Sequence, residues 1–278
     1  MEETNLLLQV EHLTASYDKF VALDDLSVDV QAGDVHAFLG EDGAGKTTLM
    51  EVISGYIPAD GYSGRLLLNG QLLQHRSIRD GMKQGIAIVP RKISLFDHMS
   101  VAENVTMAKG ELGRRFSFSR RGSLDDAFSV LRRWEIDVPL DADVRSLSPL
   151  QRRQLMIANA LAIEPQLVVL DEPLAGMPDA RSISVLVRMV RRFAEHGVTC
   201  LFMARRPSDA ELVADVITVM RDGKVAGEWQ REDFDETTLA AAMVSHRSYD
   251  QQAAGQHEDF EEPPGPLDHW FKGIRKRP

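Results

Sequence analysis

The stretch Phe38-Leu39-Gly40-Glu41-Asp42-Gly43-Ala44-Gly45-Lys46-Thr47-Thr48 holds the spacing G-x-x-x-x-G-K-[ST]. Glycines in such a run let successive backbone N–H groups turn toward one point with no Cβ in the way. Residues Gly40, Glu41, Asp42, Gly43, Ala44 and Gly45 can therefore cradle phosphate oxygens through the main chain. Lys46 adds a point charge for the β and γ phosphates, Thr47 offers a hydroxyl to Mg²⁺, and Thr48 carries the loop into a helix. Far downstream, Leu167-Val-Val-Leu-Asp171-Glu172-Pro173 places a carboxylate at the end of an apolar strand. In an open α/β sheet, ligands lie at the carboxyl ends of strands. Asp171 is expected to hold Mg²⁺ through water, and Glu172, one residue on, to orient or deprotonate an attacking water. Together these residues predict nucleotide binding.

Particular elements must position these groups. Asp34–Leu39 reads as the strand entering the loop, and Thr48–Ile53 as the helix leaving it, with its N-terminus aimed at the anion. Residues 6–14, 21–30, 65–68 and 85–89 read as further strands, the last stopped by Pro90. Residues 91–163 change character: helical periodicity runs over 101–108, over 124–134 behind Ser123, and over 151–162. Arg152 and Arg153 are expected on the exposed start of that third helix. The β/α pattern then resumes at Gln166, with a helix over 179–196, a strand over 198–203, a short helix over 208–213, a hairpin over 216–229 and a last helix over 236–244. The expected organisation is an α/β nucleotide-binding core, residues 1–90 and 164–244, interrupted by a helical subdomain, 91–163. The tail, 245–278, reads either as a disordered end or as an aromatic–basic peptide (Trp270-Phe-Lys-Gly-Ile-Arg-Lys-Arg) that docks on a partner or on anionic lipid.

The chain has 278 residues, 44% of them hydrophobic, which is ample for a packed core. A net charge of −10 argues against nucleic acid as a partner. It does not argue against ATP, because the loop makes its own local positive field. The single Cys200 suits a reducing compartment. No apolar run approaches a membrane span, and the acidic N-terminus has no signal-peptide pattern. The expectation is a cytoplasmic protein that reaches a membrane only through a partner. The eight histidines show no ligand spacing, so no metal site on histidine is expected.

These pieces together resemble an ATP-binding-cassette nucleotide-binding domain over roughly residues 6–230. The resemblance is strongest at the glycine loop, at Leu147-Ser148 with Gln151 and the helix after it, and at 167–173. Within that superfamily the chain looks closest to ATPases of bacterial sugar importers, the ribose/xylose/galactose branch. The segments that carry this are Ser54-Gly-Tyr-Ile-Pro, Gly85-Ile-Ala-Ile-Val-Pro and Leu95-Phe-Asp-His-Met-Ser-Val-Ala-Glu-Asn; branched-chain amino-acid importers are the nearest competitor. The resemblance implies a P-loop NTPase fold: a RecA-like core with an antiparallel β subdomain and an inserted α-helical subdomain. It implies two such chains meeting head to tail around two Mg-ATP. Tyr17 would stack on adenine, while Ser148 and Gln151 would face the ATP held by the other chain. Residues near 91–104 would face transmembrane permease subunits, a substrate-binding protein would act indirectly, and the assembly would sit peripherally on the cytoplasmic face of the plasma membrane.

Four positions depart from the family pattern. Arg91 stands where the γ-phosphate-sensing glutamine is expected. The signature reads Leu147-Ser148-Pro149-Leu150-Gln151, with Leu150 in place of a glycine. Arg205 replaces the switch histidine, and Asp179 is displaced by one place from the usual interface aspartate. Arg205 still suits a phosphate but cannot cycle a proton near neutral pH. Two readings follow: a working transport ATPase with tolerated variants, or a chain that binds ATP strongly and turns it over slowly as a regulatory or structural subunit. Sugar importers of this branch often carry two unequal cassettes, so asymmetric pairing with a second nucleotide-binding chain is a further expectation. A soluble cassette acting on ribosome or DNA would call for a basic face, a long coiled insert or two fused cassettes, none of which is visible in the sequence.

Overall fold

Three runs, Val35–Leu39, Leu167–Leu170 and Thr199–Ala204, are buried along their whole length. Strands apolar on both sides belong inside a covered parallel sheet. A computed structural model describes residues 5–17, 20–110 and 120–244; the readings of the 245–278 tail fall outside them. In chain order the elements are β1 (Leu6–Tyr17), β2 (Phe20–Gln31), β3 (Val35–Leu39), α1 (Lys46–Ser54), β4 (Ser63–Leu68), β5 (Gln71–Leu72), α2 (Ile78–Lys83) and β6 (Ile86–Val89). Then follow α3 (Val101–Gly110), α4 (Arg120–Arg133), α5 (Pro149–Leu161), β7 (Leu167–Asp171), α6 (Ala180–Glu195), β8 (Thr199–Ala204), α7 (Pro207–Glu211), β9 (Val216–Arg221), β10 (Lys224–Gln230) and α8 (Glu236–Met243).

One sheet has the order β10-β9-β3-β8-β7-β6 and is parallel except for β10, which returns antiparallel from β9. The second sheet, β2-β1-β4-β5, is antiparallel. Here the alternation of buried and exposed residues along β2 marks a sheet with one wet face. One apolar core lies between the two sheets around α1, built on Leu23, Phe38, Leu49 and Leu201. The other lies beyond the parallel sheet and takes in α3, α4, α5 and α6.

Strands β6 and β7 are neighbours in register, Ile86 opposite Leu167 and Val89 opposite Leu170. The chain between them carries α3, α4 and α5 and no named strand among its described residues. Its far end is tied back to the core by Trp134, which meets Phe193 edge-on at 5.5 Å, and by the Glu135–Arg192 ion pair. Two details of the sequence reading are corrected. Helix α4 starts at Arg120, so Ser123 lies inside it rather than capping it. A short helix, α2, stands where the sequence suggested none; Ser77 caps it by accepting from the Asp80 amide, although Gly81 lowers its propensity.

Candidate functional site

Strand β3 ends at the centre of the parallel sheet, and the glycine loop follows it. A Cβ on Gly40 would lie 2.5 Å from the Met220 carbonyl oxygen, so only glycine lets the loop pass β9 there. Gly45 has φ +100, and a Cβ on it would lie 2.6 Å from the Ala22 carbonyl oxygen. Helix α1 therefore begins from a left-handed glycine, with no side-chain cap and no acidic residue in its first turn. Its first N–H groups have no intrahelical acceptor and carry the positive end of the helix dipole. Lys46 is buried beneath the loop, its Nζ donating to the carbonyls of Gly40 (2.6 Å) and Glu41 (2.9 Å). Burial pushes its pKa down, against the pull of Glu172, Asp42 and Asp171. Thr47 is exposed and Thr48 buried. Tyr17 leaves nearly half its surface open, and its hydroxyl donates to Glu51 Oε2 at 2.6 Å.

The opposite wall comes from the carboxyl ends of β8, β7 and β6. These strands and β3 are adjacent and parallel, so their ends form a row with steps of about 4.8 Å. Asp171 closes β7, and burial, then the neighbouring charge of Glu172, raises its pKa. Glu172 adopts φ 40, a left-handed conformation uncommon for a side-chain-bearing residue. Its amide donates to the Met203 carbonyl at 3.1 Å, which fixes the turn. Arg91, two residues past β6, brings Nη1 to 3.5 Å from Glu172 Oε1. Arg205, just past β8, brings Nη1 to 3.0 Å from Asp42 Oδ2 in the glycine loop. Thus Lys46, Arg91 and Arg205 stand among Asp42, Asp171 and Glu172 at one end of the sheet.

Ser148 and Gln151 are not part of that group: among the described residues, neither makes a hydrogen bond or ion pair with the glycine loop or β7. They bond each other instead. The Ser148 amide donates to Gln151 Oε1 at 3.0 Å and the Gln151 amide to Ser148 Oγ at 3.3 Å, a reciprocal capping box with Pro149 as the first helical residue. Asp179 likewise caps α6, accepting from the Ser182 amide at 2.7 Å.

The expectation of an exposed arginine pair at the start of α5 fails for Arg153, which is 3% exposed. Its Nη1 and Nη2 donate to the carbonyls of Pro90 and Arg91, both at 2.9 Å. Arg152 is half-buried and reaches the Leu147 and Arg145 carbonyls and Asp97. The sequence held a signal for the difference: helical spacing puts Arg153 on the face of Met156, Ile157 and Ala160, all of them buried.

The residues present suit Mg²⁺ and a triphosphate. Asp171 is a half-buried carboxylate that burial disfavours in its charged form, Thr47 offers a hydroxyl from the first turn of α1, and the loop passes where only glycine fits. A family model described as "ABC transporter" matches residues 23–175, more than half of the chain. The chain is 31% identical over 242 residues to the xylose import ATP-binding protein XylG of Moorella thermoacetica, covering 86% of this chain and 47% of that protein. It is 33% identical over 238 residues to the ribose import ATP-binding protein RbsA 3 of Rubrobacter xylanophilus, again covering 86% and 47%. The chain thus spans about half the length of these curated relatives. Among solved structures, the ADP conformation of an ATP-binding cassette of an ABC transporter superposes with a TM-score of 0.72 at 24% identity, covering 90% of this chain and 99% of that one. This likeness shows a shared cassette fold.

Proposed function

The chain belongs to the ABC transporter family, and from that premise we propose that it is the ATP-binding subunit of a bacterial importer, binding Mg-ATP and hydrolysing it to drive a transmembrane permease. A sugar is the proposed cargo, because the relatives it matches are named for xylose and ribose import. The observation that supports the reading is that Lys46, which follows β3, lies within reach of the charges of Asp171 and Glu172 at the end of β7, two strands along the same parallel sheet. Lys46 would exchange its loop carbonyls for the β and γ phosphates. Thr47 and Asp171 would hold Mg²⁺, which when bound neutralises charge on those phosphates. Glu172 would orient the attacking water, and Arg205 and Arg91 would turn from their carboxylates to the γ-phosphate. Tyr17 presents an open ring for adenine.

Ser148 and Gln151 would serve a second nucleotide-binding chain rather than this one, in a head-to-tail pair. The permease would seat on a groove of about 130 Å³ lined by Ile88, Pro90, Phe96, Met107, Met156 and Asn159. Asn159 Oδ1 is buried beside that groove with no hydrogen-bond partner. Among the described residues no helix is long and apolar enough to cross a membrane, which suits a peripheral subunit held at the cytoplasmic face by that permease, with a substrate-binding protein acting indirectly.

One observation favours a slow enzyme. The guanidinium of Arg91 sits against Glu172, where it competes with water for the carboxylate. Retention of Mg-ATP by the full chain, followed by turnover in the complex with its permease, tests both readings. Glu172→Gln should keep binding and lose hydrolysis, and Arg91→Gln should raise turnover. A chain that does not retain ATP when magnesium is supplied overturns the proposal; binding with no turnover in the complex supports the regulatory reading.

A further inference from the structure

Arg153 is a charged residue in a place where charge is costly. A guanidinium this deeply buried normally faces a carboxylate. Arg153 makes no ion pair among the described residues; it faces two backbone carbonyls, and its Nε has no acceptor. Those carbonyls belong to Pro90 and Arg91, the first residues after β6, in a stretch with no regular strand or helix before α3. Proline brings no N–H to the ladder of β6, and the carbonyls of this turn take side-chain partners. Arg153 supplies two of them from the first turns of α5, five residues beyond Ser148. On the other side of the same peptide, the Arg91 amide faces the Asp171 carboxyl and pulls its pKa down against burial, and the Arg91 guanidinium stands 3.5 Å from Glu172. At that separation a displacement of about one ångström decides whether the contact exists.

We propose that Arg153 is a positioning residue: by gripping the carbonyls of Pro90 and Arg91, it sets where Arg91 stands against Glu172 and ties the entry of α5 to this chain's own carboxylate. The inference rests on the nucleotide-site reading above for its functional meaning. A shift of α5 caused by a second chain's nucleotide at Ser148 would be carried through Arg153 to the Arg91 peptide. No other described side chain links α5 to that turn by hydrogen bonds to its carbonyls.

Amide hydrogen exchange of the full, nucleotide-free chain tests the positioning itself. In Arg153→Met the Arg91 amide should exchange about tenfold faster or more, the scale of one lost charge-assisted hydrogen bond, while amides of α1 stay unchanged. Arg153→Lys, which keeps the charge but reaches one carbonyl at a time, should restore part of the protection, and it serves as the test should Arg153→Met not fold. Unchanged exchange at Arg91 overturns the proposal. The link to Glu172 is tested by combining variants. Arg153→Met and Arg91→Ala should change kcat, or Mg-ATP affinity where turnover is too slow to follow, in the same direction. Neither should change KM more than about threefold, and the double variant should be no worse than either single one. Effects that multiply overturn the link. A wild-type chain that binds no Mg-ATP overturns the nucleotide reading instead, and the exchange result still decides the role of Arg153.

Discussion

The N-termini of α1 and α5 are the two helix ends at which a triphosphate would meet this fold, and they are built in opposite ways. Helix α1 follows a left-handed glycine, has no side-chain cap and carries no acidic residue in its first turn. Its leading N–H groups are incomplete without an anion. Helix α5 is nearly closed on its own: Ser148 caps it, Gln151 returns a bond to the Ser148 amide, Pro149 brings no N–H, the Arg152 amide reaches the Ser148 carbonyl, and Leu150 adds an isobutyl group where the family resemblance implies glycine. An end that needs an anion and an end that has closed on itself cannot contribute equally to binding. The difference locates the proposed binding strength in the cradle of a single chain and leaves little for the surface offered to a second one.

The sharpest way to break this comparison is at the cradle. Lys46→Ala should weaken Mg-ATP binding by roughly 100-fold, about 3 kcal/mol for a charge-assisted contact to phosphate, as read by equilibrium dialysis. An affinity that survives the change would move the anion seat away from α1. Gly45→Ala comes next: it forces a side chain into φ +100 and against the Ala22 carbonyl. It should cost on the order of 2–3 kcal/mol in denaturant unfolding, whereas substitutions at the self-sufficient end of α5 cost less.

Asp171 sharpens the same contrast by pH. Its carboxyl is pushed up by burial and then by the charge of Glu172. The folded chain thus holds this proton more tightly than the unfolded one, and its contribution to stability falls as pH rises from the ordinary carboxylate range through the raised value. Ionising Asp171 therefore costs the folded, nucleotide-free chain more than it costs the unfolded one. Asp171→Asn should therefore raise the melting temperature of the nucleotide-free chain by a few degrees while removing the dependence of ATP binding on magnesium. A variant that melts lower would mean the carboxylate is already satisfied within the chain.

What could be read from the sequence follows the same division. The strand–loop–helix run was legible because its glycines and its Lys46 lie in one continuous stretch at fixed offsets, between a strand and a helix whose periods agree with it. The family and the α/β class were legible from that run together with Leu167–Pro173. The order of the strands, which sets Leu39, Ala204, Asp171 and Val89 in one row across β3, β8, β7 and β6, is a matter of long-range pairing and leaves no local mark. Arg153 shows the limit most clearly. Its type says surface, its helical spacing says core, and the deciding partners are carbonyls more than sixty residues earlier in the chain. The ion pairs of Arg91 with Glu172 and of Arg205 with Asp42 likewise join residues that only the sheet brings together. Helix α2 escaped because a six-residue helix with a glycine inside it has too little periodicity to read.

The smallest expected effects lie at α5, and they test whether its end is as closed as its hydrogen bonds imply. Leu150→Gly should lower stability by about 0.5–1 kcal/mol through lost helix propensity and packing. It should also favour ATP-dependent pairing of two chains, measured by light scattering, because the obstacle to close backbone approach is removed. Ser148→Ala should cost about 1 kcal/mol of stability, the ordinary worth of an N-cap. It should change the Mg-ATP affinity of the isolated chain by less than about twofold, since the hydroxyl already accepts from the Gln151 amide and is directed at its own helix. Were that affinity to fall tenfold, Ser148 would be contacting phosphate within its own chain, and the two helix ends would have to be regarded as halves of one site.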